Sequence, residues 1–257
     1  MNFILWRLSA AVLTAVLFAA AEAGAAPIDV YFNNFNGAET HGGGATGGMS
    51  GITTHVAVPT GFAALTNPGN PSNVFSNQML RNLSGGSPVG TAGAATTLTL
   101  ANLPTHDSVS ISMLLAVIDS WDSDNGTAGT TPDELQIKVD GVQVFLGTWS
   151  NQTGSHNTAV GTLLGSGSNL GFSASFRDRA YDTTGASQLT AIAHSASTLT
   201  IDILATGAGW QGGSDESWGM DNFRVTVDTM AVAVPEPITI ALFGFGLGGL
   251  GLVRRRR

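Results

Sequence analysis

The chain has no cysteine among its 257 residues, a single lysine and only 11% charged residues. Without cysteine there is no disulfide framework, thiol nucleophile or thiolate zinc site, so stability rests on the core, on bound metal, or on both. Positive charge is scarce between the two apolar termini. Over residues 26–233 only Arg81, Lys138, Arg177, Arg179 and Arg224 oppose sixteen acidic groups, a net charge of −11. That balance excludes nucleic acid as a partner and suits divalent cations. Hydrolase signatures are missing too: there is no H-E-x-x-H and no G-x-S-x-G. The histidines His41, His55, His106, His156 and His194 are scattered without a short-spaced pair and read as isolated loop residues. Outside the termini no long stretch has helical periodicity.

Long apolar runs occur only at the two ends. Arg7, the stretch Ala10 to Ala21 and the small residues Ala23-Gly24-Ala25 predict a signal peptide over residues 1–25, cleaved before Ala26. At the other end Val234-Pro235-Glu236-Pro237 precedes the uncharged run Ile238 to Val253, which is followed by Arg254, Arg255, Arg256 and Arg257. As a transmembrane helix those sixteen residues span about 24 Å against about 30 Å of hydrocarbon, short but feasible in a locally thinned bilayer. The arginine cluster is a membrane stop that stays cytoplasmic and leaves everything before it outside. Pro235 and Pro237 forbid helix upstream, so the run starts from an extended, accessible segment. Gly244, Gly246 and Gly249 spell G-x-G-x-x-G, but no strand–helix–strand unit surrounds them; close helix–helix approach at Gly244 and Gly248 is the better reading.

This three-part tail over residues 234–257 resembles the PEP-CTERM sorting signal of Gram-negative bacteria that make exopolysaccharide. The resemblance implies recognition at Pro235, Glu236 and Pro237 by an exosortase of the inner membrane, with the chain as its substrate and not as a catalyst. It also implies delivery to the cell surface or extracellular matrix.

Residues 26–233 read as strands. Val30 to Phe32 opens the domain, and Gly42 to Gly51 is expected to be a mobile loop because it has so little to bury. Ile52 to Val58, a segment near Val74 to Leu80, and Thr96 to Leu100 follow as strands. Val109, Ile111, Met113, Leu115 and Val117 alternate with Ser108, Ser110 and Ser112; Leu114, Ala116 and Ile118 then make the second half apolar on both faces. That pattern predicts a central strand. Leu135, Ile137 and Val139 lead through Asp140-Gly141 to Val142 to Leu146, a hairpin signal because both turn positions need positive φ. Leu170 to Phe176, Thr198 to Leu204 and Phe223 to Val227 complete about nine strands, and the expected architecture is an all-β, two-sheet jelly-roll β-sandwich.

Short motifs around Asp119-x-Trp121-Asp122, Pro132-Asp133 and Gly219-Met220-Asp221-Asn222 resemble galactose-binding-like and lectin-like jelly rolls. That likeness implies a structural calcium near the last strand, mapping onto Asp221 with Asn33 or Asn36 beside it. Asp119, Asp122, Asp124 and Asp133 are further candidate calcium ligands, since calcium takes six to eight oxygens; the alternative is a solvated acidic loop. Asp122-x-Asp124-x-Gly126 lacks the remaining ligands of an EF-hand. Trp121 and Trp218 are candidate glycan contacts, weighed against ordinary packing. Glu216 with Asp215 is the carboxylate pair of the alternative reading, a secreted polysaccharide-active enzyme. The reading preferred is a non-enzymatic, exopolysaccharide-associated surface protein.

Overall fold

Val109 to Ile118 contribute an apolar side chain to one face or the other at nearly every position, and the fold is built around that strand. The computed structural model describes residues 26–85, 88–123, 131–151, 156–173 and 175–228. The expected signal peptide, the tail from Val234 to Arg257 with its helix, and Asp124 lie outside these residues.

Among the described residues, nine strands form the larger sheet: β1 (Ile28–Asn33), β2 (Thr40–His41), β4 (His55–Ala57), β5 (Gln78–Asn82), β7 (Ser108–Asp119), β10 (Thr162–Ser168), β11 (Asp178–Asp182), β12 (Ile192–Ala193) and β14 (Glu216–Asp228). Five form the smaller: β3 (Thr46–Gly51), β6 (Thr96–Ala101), β8 (Glu134–Val139), β9 (Val142–Gly147) and β13 (Thr198–Thr206). The main path of the larger sheet is β10-β11-β7-β14-β1-β2, that of the smaller β3-β6-β13-β8-β9, and all pairings are antiparallel.

Val109, Ile111, Met113, Leu115 and Val117 of β7 meet Leu98, Leu100, Leu135, Ile137, Leu199, Ile201 and Ile203 of the smaller sheet in one core. Two sheets facing over a shared apolar interior make a β-sandwich. The opposite face of β7 is covered as well. Leu114, Ala116 and Ile118 pack with Phe62 and Phe75 of the excursion between β4 and β5, with Met79 of β5 and with Leu170 between β10 and β11. Phe62 sits on the one-turn helix α1 (Thr60–Ala63). The double apolar pattern thus reflects two separate covers, as expected of a central strand.

The hairpin at Asp140-Gly141 forms as expected, with φ of 49° and 79° at the two turn residues. Two expectations are corrected. Gly42 to Gly51 is not simply a loop: Thr46–Gly51 is strand β3, paired along its length with β6. Its glycines contribute backbone rather than side chain; a Cβ at Gly47 would come within 2.0 Å of the Thr99 carbonyl oxygen. The described residues between Leu170 and Phe176 form no strand. Leu170 and Phe172 instead lie over the outer cluster, while the strands fall on either side, as β10 and β11.

Candidate functional site

Where β7 ends, Asp119 adopts φ of 71° and turns the chain out of the sheet. Trp121 then folds back into the core, its Nε1–H donating to the Ser217 carbonyl at 2.7 Å. Asp122 follows, exposed. The loop closes on itself: Asp133 N–H donates to the Asp122 carbonyl at 2.8 Å, and Asp122 N–H to Asp133 Oδ2 at 2.6 Å. Because β14 pairs with β7 in the register Glu216↔Asp119, Glu216 arrives beside this loop. One carboxylate oxygen from each of Asp122, Asp133 and Glu216 lies within 4.8 Å of the others, the one such group of three among the described residues.

The trio is electrostatically uncomfortable. Asp133 and Glu216 are 0% and 1% exposed. Burial, above all, raises both carboxyls from their ordinary range, with the Glu216 and Asp122 charges adding to the effect at Asp133 and the Asp215 charge at Glu216. Asp122 is raised for the same reasons, burial first and then Asp215. Glu216 Oε2 accepts the Gln211 N–H at 2.8 Å. Among the described residues no donor reaches Asp133 Oδ1, whose nearest acidic neighbour is the Glu216 carboxyl.

Asp119, expected among the calcium ligands, has a different partner. Its Oδ2 pairs with Arg81 at 3.1 Å, and Arg81 also donates to Ser217 Oγ from Nε and Nη2 at 3.0 and 2.8 Å. The guanidinium lies 4.1 Å from the centre of the Phe172 ring. Burial pushes the Asp119 carboxyl up to about 6; the Asp178 charge adds to this and Arg81 opposes it. An internal cation already serves Asp119.

Asp221 stands apart from the trio. Its carboxylate accepts Ser76 N–H at 3.0 Å and Asn222 N–H at 2.7 Å, fastening the segment before β5 onto the bulge in β14. Asn36 completes that clasp, donating to the Ser76 carbonyl at 3.2 Å and accepting Gln78 N–H at 2.8 Å. Asn33 turns instead to the Phe35 N–H and the Tyr31 hydroxyl. Both carboxylate oxygens of the residue to which the sequence suggested a calcium thus accept a backbone amide. Burial pushes the Asp221 carboxyl up to about 6, against about 3.9 in an unfolded chain. The folded state therefore keeps this proton to higher pH than the unfolded state does. The contribution of Asp221 is most favourable below about pH 4 and declines as pH rises to about 6. Relative to wild type, Asp221→Asn is expected to gain about 2–3 kcal/mol between pH 4 and 7, on top of a constant loss from the forfeited hydrogen bond. Urea unfolding of both proteins across that range checks this; a difference that does not move with pH contradicts it.

The glycan contacts expected at Trp121 and Trp218 are corrected: both, with Trp149 and Trp210, are 0% exposed. Trp121 packs edge-on to Trp149 at 5.6 Å and against Trp210 at 5.2 Å, so no ring face is open to a sugar. An open polar cavity of about 290 Å³ lies elsewhere, lined by Phe32, Asn70, Asn73, Thr184, Asn222 and Arg224 among others.

Two histidines read as isolated also come together. His106 Nε2 lies 2.7 Å from His194 Nδ1, His106 Nδ1 lies 2.6 Å from the Pro104 carbonyl, and His194 Nε2 lies 3.0 Å from Asp140 Oδ2. The two rings thus form a chain of close polar contacts from the Pro104 carbonyl to the Asp140 carboxylate. This clip joins the β8–β9 turn to the loops flanking β7 and β13. A separation of 88 residues left no local signal for it.

Residues 233–257 match the family model described as the PEP-CTERM protein-sorting motif. Comparison with curated proteins and with solved structures finds no match.

Proposed function

We infer, from the premise that this chain carries a PEP-CTERM protein-sorting motif at residues 233–257, that it is an exosortase substrate destined for the cell surface or extracellular matrix. The motif is the observation that carries the reading. In this account the signal peptide exports the chain, the apolar run from Ile238 to Val253 holds it at the inner membrane, and Arg254 to Arg257 stay inside. Processing then falls at Pro235-Glu236-Pro237.

The exported part is a jelly-roll β-sandwich that acts by binding, in association with exopolysaccharide. Two features support this. The chain passes between the sheets repeatedly, from β5 to β6, to β7, to β8, and from β9 to β10. The cavity beside Phe32 offers amides, hydroxyls and a guanidinium without a buried catalytic group. The cluster of Asp122, Asp133 and Glu216 favours binding over hydrolysis, since a glycosidase pair must face a groove that admits the sugar, and Asp133 and Glu216 are buried.

Replacing Pro235, Glu236 and Pro237 by alanine is expected to leave export intact and to strand the unprocessed protein in the membrane fraction. Fractionation of the producing cells checks it; a variant distributed and processed like wild type would overturn the assignment. In the same fractions, enzymatic removal of exopolysaccharide is expected to free the wild-type protein from the matrix. Unchanged retention would remove the polysaccharide from the account.

A further inference from the structure

We propose that Asp122, Asp133 and Glu216 form a binding site for a hard divalent cation, calcium, which ties the end of β7 to the starts of β8 and β14. Three observations meet here. Carboxylate oxygens from the two ends of the β7–β8 connection and from the first residue of β14 lie within 4.8 Å of one another. Asp133 is 0% exposed, yet among the described residues no donor reaches its Oδ1. A buried carboxylate oxygen left without a partner is costly, and a cation satisfies it where neighbouring acceptors cannot. Asp122 is exposed, which gives an ion a way in from solvent.

The donor set selects the metal. All three groups offer oxygen, and neither histidine nor cysteine belongs to the group. That set suits calcium or magnesium rather than zinc or copper. Calcium fits better, because it accepts irregular coordination completed by waters and carbonyls, whereas magnesium demands a near-ideal octahedron. The surroundings add to the field: Asp215 acts on both Asp122 and Glu216, while Arg81 is committed to Asp119 and Ser217. The cation would hold Asp122 and Asp133, the two ends joined by their mutual hydrogen bonds, against the first residue of β14. That is a clamp a chain without disulfides can use.

The test is thermal unfolding of the full-length protein in mild detergent, with chelator and then with calcium, at fixed ionic strength so that general screening is held constant. With calcium a hundredfold above its Kd, the melting temperature is expected to rise by roughly 5–10 °C. Magnesium should give a smaller rise. Asp133→Asn should abolish the rise and still fold, since its amide can donate to Glu216; Asp215→Asn should keep most of it. Terbium serves as an independent probe of binding. Its emission, excited through Trp121 or Trp210, should appear with wild type, be displaced by calcium, and be absent with Asp133→Asn or Glu216→Gln. Equal melting of wild type with calcium and with chelator would overturn the site and leave a proton shared by Asp133 and Glu216. So would a calcium effect that survives in Asp133→Asn. If Asp133→Asn does not fold, failure of calcium to displace terbium from wild type overturns it alone.

Discussion

Replacing Arg81 by methionine is expected to destabilise the domain by about 3–5 kcal/mol, the range for breaking one side of a buried ion pair. Asp119 and Arg81 have side chains only 1% and 12% exposed, so water cannot replace the lost partner. Asp119 Oδ1 already lacks a donor, and Asp178, whose carboxylate accepts the Asp119 N–H at 2.9 Å, adds a second negative charge. Methionine keeps much of the packing against Phe172 while removing the charge and the bonds to Ser217. At roughly 2–4 °C per kcal/mol for a domain of this size, the melting temperature should fall by on the order of 10 °C. The double substitution Arg81→Met with Asp119→Asn should recover more than half of the loss, because the burden is the stranded carboxylate. A double variant no more stable than the single one would contradict this, as would a loss below about 1 kcal/mol.

Trp121→Ala carries a comparable effect for a different reason. The indole fills the middle of the sandwich between Trp149 and Trp210 and donates to the Ser217 carbonyl. Truncation removes that bond and opens a cavity, and large aromatic truncations in cores cost about 3–5 kcal/mol. Trp121→Phe should restore most of the packing but not the hydrogen bond, leaving a deficit of about 1 kcal/mol. Urea unfolding at constant slope measures both. A Trp121→Ala variant within 1 kcal/mol of wild type would mean that this ring is not central to the core.

These residues also mark how far the sequence could be read. Strand β7 was legible because alternation and its breakdown after Met113 both reflect burial, and the hairpin was legible because Asp140-Gly141 sets its own backbone. Strand β3 was not, since an edge strand of glycines pairs through backbone groups and leaves no hydrophobic pattern. Leu170 and Phe172 misled in the opposite way: apolar residues of a loop that covers a sheet look like a strand. The acidic loop pointed to Asp122 and Asp133, but their meeting with Glu216 depends on the β7–β14 register. Asp119 looked like their equal until Arg81, 38 residues away, was placed beside it. The tryptophans looked like loop residues because their neighbours are polar and glycine-rich, whereas their rings turn inward.

The tail is the opposite case, a signal carried by local order alone and matched as such over residues 233–257. Its consequence is a covalent one, so the most direct measurement is the mass of the mature C-terminus, read from C-terminal peptides of the protein recovered outside the cell. The mature chain is expected to end within or next to Pro235-Glu236-Pro237, lacking the apolar run and the four arginines, or joined there to another group. An exported protein that still carries Arg254 to Arg257 would contradict it.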